Sequence, residues 1–449
     1  MSRSLPQLGP DERELILNCA RIELDGPLLH RTEEILQKPL AWDAVLIFAE
    51  LHSVAPLLHY HLRHFDGLGL ISLEAKRRLL QLSHRAGYRN RHYSQALREL
   101  LEVFAEAGIP VIVLKGLSLV ELIYGNLGLR PLIDINLLIP REKLDKARNI
   151  LLRTGYVDKV RRPHHNFYLW LNSQVLLVKP RDFAVDLLLQ LNVVNWPRIH
   201  AIDLPRFWKE AQPAKISGYD ALIPSPTDLV LYLCIQPDKH GYLNVPAANV
   251  EDPAGFVFKE WTDNRLIRFT DIYEAIKHYG GTINWEVLIE RARASGIEGS
   301  VYTSLHWVTK LLGPAIEPWV LDALRPPTPR RLRRWLFEAL DQDSKDDRSA
   351  SAIKTGFRAW WLKKQKQAQL RMIRLLELLE FIFPRRDELK LSYRLRSKKS
   401  PFAVFLVHSS KSLFRCALGF LLVIYSLLTR RRPSPILSQK TPFQGASRS

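Results

Sequence analysis

Val111-Ile-Val-Leu-Lys115-Gly116 and, after a short intervening stretch, Gly128-Leu-Arg130-Pro131-Leu-Ile-Asp134-Ile-Asn136-Leu-Leu-Ile139 decide how this chain reads. The first run is apolar and β-branched, the composition of a buried strand, and it closes on a basic-glycine turn. Glycine suits such a turn because it adopts positive φ without steric cost. The second run is a loop that enters another strand. Strand residues two apart project from one face. Asp134 and Asn136 are therefore expected to point together, with Ile133, Ile135 and Leu137 facing the core. Paired oxygen donors on a core strand suit a divalent cation engaged in phosphoryl chemistry.

Working outward, residues 11 to 105 carry apolar side chains at helical spacing, among them Leu15, Ile16, Cys19, Leu79, Leu82, Tyr93, Leu97 and Phe104. Pro39 and Pro56 interrupt the pattern. Gly108-Ile-Pro110 ends it before the first strand. Beyond the second strand, Arg141 to Arg153 is an amphipathic helix that Gly155 terminates. Three strand-like runs follow at 166–171, 174–178 and 183–191, with Asn172-Ser173 as a hairpin turn between the first two. The last run, Phe183-Ala-Val-Asp186-Leu-Leu-Leu, holds a carboxylate within an apolar strand. Such a group is costly unless a metal or a hydrogen-bond partner meets it.

Helical periodicity returns after Pro224-Ser-Pro226, in segments 228–234, 268–276 and 283–289. These patterns predict an α+β chain: a mixed-sheet core with an N-terminal helical layer and a C-terminal helical domain. The expected divisions are 1–105 helical, 106–215 the α/β core, 216–429 helical, and 430–449 a disordered basic tail.

Lys115-Gly116, Tyr124, Arg130-Pro131 and Asp134-x-Asn136 together resemble the uncharacterised nucleotidyltransferase family of the polymerase-β-like superfamily. That resemblance implies Mg²⁺-dependent transfer of a nucleotidyl group from an NTP to an acceptor hydroxyl of unknown identity. It implies metal ligation by Asp134, Asn136 and Asp186, with Asp134 and Asp186 catalytic, Asp186 as third ligand or base. It further implies nucleotide contacts from Lys115, Gly116, Ser118 and Arg130, the last either on a phosphate or bracing the loop before Asp134. The sequence departs from the family pattern in three places: Asn136 replaces a second Asp, Leu188 stands where His is frequent after Asp186, and Gln236 stands where many members have His. An impaired or inactive member that binds nucleotide or a partner is the alternative implied by these changes.

Charge divides the chain. Of a net +19, residues 330–449 carry 27 Lys and Arg against 9 Asp and Glu, leaving the enzyme-like part nearly neutral. Basic runs at 330–334 and 363–366 and the apolar stretch 416–428 frame a third reading: a membrane- or polyanion-binding protein on the same scaffold, touching a membrane surface peripherally through 401–432. No nucleic-acid motif accompanies the charge, so nucleic acid is not the expected partner. Cys19, Cys234 and Cys416 form no paired motif. With no apolar signal core at the N-terminus, they point to a cytoplasmic protein.

Overall fold

Prolines and short polar caps set the starts of the first helices in the computed structural model, which describes residues 6, 8–158, 174–180, 185–190, 202–239 and 266–325. Helices α1 (Pro10–Cys19), α2 (Gly26–Leu36) and α4 (Ala55–Leu62) each have a proline in the first turn, where no backbone donor is lost. The Asp25 carboxylate accepts the Leu28 N–H at 2.9 Å to cap α2. Between them lies α3 (Trp42–Leu51).

The long helix α5 (Leu73–Glu106) is capped by Ser72, which accepts the Ala75 N–H. Ala75, Leu79, Leu82, Ala86, Asn90, Tyr93, Leu97, Leu100 and Phe104 bury a single stripe at three- and four-residue spacing. Gly108 ends the helix at φ +62°, and the Ile109 N–H closes back on the Phe104 carbonyl at 2.8 Å.

The sheet follows. Its strands are β1 (Ile112–Lys115), β2 (Ile135–Leu138), β3 (Val157–Asp158), β4 (Gln174–Lys179), β5 (Val185–Gln190), β6 (Gln212–Ile216) and β7 (Tyr219–Ile223). They lie in the order β3-β4-β5-β2-β1-β7-β6. The sheet is mixed: β2 runs parallel to β5 and β1 parallel to β7, while the other pairs are antiparallel. Between β1 and β2 the chain forms α6 (Leu117–Leu119), which widens into a π turn over Val120–Tyr124. Helix α7 (Leu144–Arg153) joins β2 to β3, and α8 (Leu204–Lys209) precedes β6.

Helices α9 (Pro226–Lys239), α10 (Ile267–Tyr279), α11 (Trp285–Ala294), α12 (Glu298–Leu312) and α13 (Pro318–Leu324) complete the described chain. Their apolar faces merge with those of α1 to α5 and with Ile112, Leu114 and Leu138 in one continuous core. The chain divides into two compact units, Met1–Ile373 and Arg374–Ser449, and every described residue belongs to the first.

Two expectations are corrected. Ile133 is 45% exposed and does not face the core, because β2 begins only at Ile135 and the preceding residues are still loop. The sheet also continues past the expected boundary at 215, since β6 and β7 form a hairpin ending at Ile223. The strand-like run 166–171, its Asn172-Ser173 turn, and everything from 326 onward lie outside the described residues. No helix among the described residues is long and apolar enough to cross a membrane.

Candidate active site

The turn after β1 is built around Gly116, at φ +82° and ψ −106°. Residues with a Cβ rarely adopt that region. A Cβ there would stand 3.6 Å from the Asp134 carbonyl oxygen, so the turn lies close against the entry to β2. Lys115 pairs across the sheet with Asn136, after a register irregularity that follows Val113. Burial pushes the Lys115 amine below its usual range, the Asp134 carboxylate opposes that shift, and Arg268 and Arg130 add to it.

On the other side of β2 runs β5 in parallel register. Ile135 is opposite Leu187 and Asn136 opposite Leu188. Asp134 lies in the loop just before β2, and its charge and that of Asp186 on β5 both act on the Tyr93 phenol of α5. Asp186 and Leu188 share the half-buried face of β5, while Val185, Leu187 and Leu189 are buried on the reverse. The Tyr93 side chain of α5 ties the two segments together. Its hydroxyl donates to the Ile133 carbonyl at 2.7 Å and accepts the backbone N–H of Asp186. Burial, followed by the charges of Asp186 and Asp134, pushes that phenol up to about 12.

Asn136 is almost wholly buried, and both ends of its amide are used. Its Nδ2 donates to Asp134 Oδ1 at 2.9 Å, and its Oδ1 accepts from Gln190 Nε2 at 2.9 Å. Gln190 also approaches the Tyr232 hydroxyl at 3.4 Å, and burial raises the Tyr232 phenol above its normal value. The polarity of this chain is fixed from one end. An ionised carboxylate only accepts, so Asn136 must turn its amide nitrogen to Asp134 and its oxygen to Gln190. Leu188 flanks the same position with an apolar side chain. Gln236 turns away, donating to the Tyr232 carbonyl of its own helix at 3.3 Å.

Arg130 makes a bidentate pair with Asp271 of α10, at 2.7 Å from Nε and 2.6 Å from Nη2. The Tyr124 hydroxyl donates to the same carboxylate at 2.9 Å. Burial works against the Arg130 charge, but Asp271 outweighs it and raises the guanidinium pKa. The peptide groups beside Arg130 are held by Asn90, a fully buried residue on the α5 stripe. Its amide donates to the Leu127 and Arg130 carbonyls at 2.6 and 2.7 Å, and its oxygen accepts the Leu132 N–H at 3.1 Å. Ser118 is buried just past the Gly116 turn, and its hydroxyl has no hydrogen-bond partner.

The structure thus brings Lys115, Gly116, Asp134, Asn136 and Asp186 to one end of β1, β2 and β5, with Arg130 turned to Asp271. Among the described residues, no three His, Cys, Asp or Glu side chains form a metal-holding group. Sequence reasoning passed over Asn90, Tyr93, Gln190, Tyr232 and Asp271. One of these left a trace, since Asn90 is a polar residue on an otherwise apolar helical stripe.

The sequence model of a family described as uncharacterised nucleotidyltransferase matches residues 38–313. The chain belongs to that family. The match runs from just before α3 to the end of α12 and takes in the whole sheet, so this nucleotidyltransferase contains the strand-turn-strand site within its matched region. Membership carries nucleotidyl transfer as the family's class of chemistry and a nucleotide as its class of substrate. No curated protein and no solved structure matches the chain.

Proposed function

We propose that this nucleotidyltransferase moves a nucleotidyl group from an NTP to an acceptor hydroxyl with the help of one Mg²⁺ ion, which Asp134 and Asp186 hold. The observation that supports the reading is that the charges of Asp134, bonded to Asn136 of β2, and of Asp186, on the adjacent parallel strand β5, both act on the Tyr93 phenol, while Asn136 pairs with Lys115 of the Lys115-Gly116 turn. The donor set fits: Mg²⁺ commonly takes one or two carboxylates and completes its shell with water and phosphate oxygens. Such an ion supplies charge neutralisation on the triphosphate.

Asn136 already donates to Asp134 and accepts from Gln190, and it brings no negative charge to a cation. In this reading it fixes the Asp134 carboxylate and is not a ligand. Lys115 contacts a phosphate oxygen. The missing side chain of Gly116 leaves room for the phosphates, and the Ser118 hydroxyl supplies a donor. Arg130 acts as a brace through Asp271. As the acceptor oxygen bonds to the α-phosphorus, the bond to the β-phosphate oxygen breaks, pyrophosphate leaves, and the acceptor proton passes to Asp186. Alignment and charge stabilisation do most of the work in such a transfer.

A second reading, a member that binds nucleotide without transferring it, is favoured by the same engaged Asn136. Calorimetry with Mg²⁺ and each of the four NTPs, on wild type and Asp134→Ala, separates the two. Metal-dependent binding that Asp134→Ala abolishes supports the site. Release of labelled pyrophosphate then supports transfer, and binding without release supports the second reading. Absence of metal-dependent binding overturns both.

A further inference from the structure

The first half of α5 carries a second face. Besides the stripe it buries in the core, it lines up Leu73, Lys76, Arg77, Leu80 and His84 at helical spacing on the wall of an open cleft of about 620 Å³. The opposite wall comes from α4 and the 3-10 turn after it, with His59, Tyr60 and Arg63. Ile71, Leu79 and Leu129 form a buried apolar floor.

Two properties set this cleft apart. Large apolar side chains are left in water here: Leu73 is 63% exposed, and Leu80 and Tyr60 are also exposed. Arg63, Lys76 and Arg77 supply positive charge, and among the described residues that line the cleft there is no Asp or Glu. The volume falls within the range of small-molecule sites, roughly 300–1,000 Å³.

We propose that this cleft binds a small amphiphilic anion: a phosphate or carboxylate head held by Arg63 and Arg77, with a hydrocarbon body lying along Leu73, Leu80 and Tyr60. Charge complementarity selects an anionic head, and the exposed leucines select an alkyl body. A nucleic acid would call for stacking surfaces, and the cleft offers one tyrosine. The chain's own apolar segment 416–428 is flanked by arginines, so like charge disfavours it as the occupant. The concave shape suits an enclosed single chain better than the flat surface of a bilayer. The cleft also borders the catalytic region through the main chain, because Leu129 of its floor directly precedes Arg130.

The test uses the full-length protein and dodecyl phosphate below its micelle-forming concentration, followed by calorimetry. Dodecyl maltoside supplies the same chain without the charge, and inorganic phosphate supplies the charge without the chain. The expected result is one dodecyl phosphate per protein, at least tenfold tighter than either control. The double variant Arg63→Ala/Arg77→Ala, at two exposed positions, should weaken it at least tenfold with an unchanged circular dichroism spectrum. Leu80→Glu, also exposed, should weaken it comparably. Binding of many molecules per chain, equal binding by the variants, equal affinity for either control, or binding confined to anionic phosphatidylserine vesicles would each overturn the proposal.

Discussion

Asn136 is the residue on which the proposed chemistry turns. Strand alternation led to the expectation that it points with Asp134, and the two side chains do meet, Asn136 Nδ2 on Asp134 Oδ1, although Asp134 lies in the loop before β2. That its amide is engaged at both ends was not legible. Gln190, its partner, lies 54 residues away in the chain, and nothing local to Gln190 advertises the contact. The same holds for Asp271, 141 residues from the arginine it binds. Asn136→Asp would place a second carboxylate beside the first, and the Gln190 amide would still have an oxygen to meet. An added charge at ~4 Å interacts by roughly 4 kcal/mol per unit of opposing charge at an effective dielectric of ~20, before desolvation is subtracted. Mn²⁺ titration followed by electron paramagnetic resonance in the presence of nucleotide should therefore rise from one bound ion per wild-type chain to two in the variant. An unchanged count would show that Asn136 does not limit metal binding. The Arg130–Asp271 pair permits a sharper test of bracing. Either single change, Arg130→Met or Asp271→Leu, strands a buried charge and should cost about 3–5 kcal/mol in urea unfolding. The double change removes both charges and should cost less than either alone. A strictly additive loss would mean that the two side chains do not act as a pair.

At the scale of elements, the order strand, turn, loop, strand was readable because each piece carries a local signal: β-branching in β1, Gly116 at its end, and Arg130-Pro131 before β2. The hairpin of β6 and β7 was not read, although its turn had a signal. Ser217 and Gly218 both take positive φ, at 53° and 81°, and a two-residue turn of that kind matches the twist of paired strands. Weak alternation hid it. As the edge strand, β6 exposes Gln212, Pro213 and Lys215, and only Ile216 is buried. The hairpin is secured from outside: the Ser217 N–H and hydroxyl both donate to Glu121 of the π turn, at 2.7 and 3.0 Å. The Gly116 turn therefore connects to the far edge of the sheet through one short helical segment. Gly116→Ala should cost about 1–3 kcal/mol for its backbone alone, since a Cβ would meet only ordinary contacts. Because the strain falls on the turn, metal-dependent nucleotide affinity should fall along with the thermal midpoint. A lower midpoint with unchanged affinity would remove the turn from the proposed phosphate site.

Across the whole molecule, the family match begins at residue 38, yet α1 and α2 precede it and belong to the same core. The sequence showed these helices as amphipathic but not where their apolar faces would go, which depends on contacts across most of the chain. Arg21 follows α1 and donates to the Asn18 and Leu17 carbonyls beside it and to Leu312 at the end of α12, at 2.9, 3.2 and 3.1 Å. Ile22 N–H donates to Glu274 at 2.8 Å, and the Thr270 hydroxyl to the Ala20 carbonyl at 3.0 Å. His61 of α4 completes the junction, with its Nε2 donating to the Arg21 carbonyl at 2.7 Å. Burial is the main cause that pulls the His61 pKa below its usual 6.5; the bond to Arg21 opposes this, and the positive charges of His64 and Arg21 add to it. The unfolded chain therefore takes up a proton near pH 6.5 that the folded chain resists until lower pH. The stability held by neutral His61 is complete above pH 6.5 and is lost as pH falls through the folded value, at about 1.4 kcal/mol for each unit between the two. Urea midpoints measured from pH 7.5 to 5 should decline for wild type and decline less for His61→Gln, whose amide can still donate to Arg21 but does not titrate. Parallel declines would place the acid sensitivity elsewhere. If the junction couples the N-terminal helices to α10 and α12, the wild-type loss should also appear as a single transition, because the linked helices give way together.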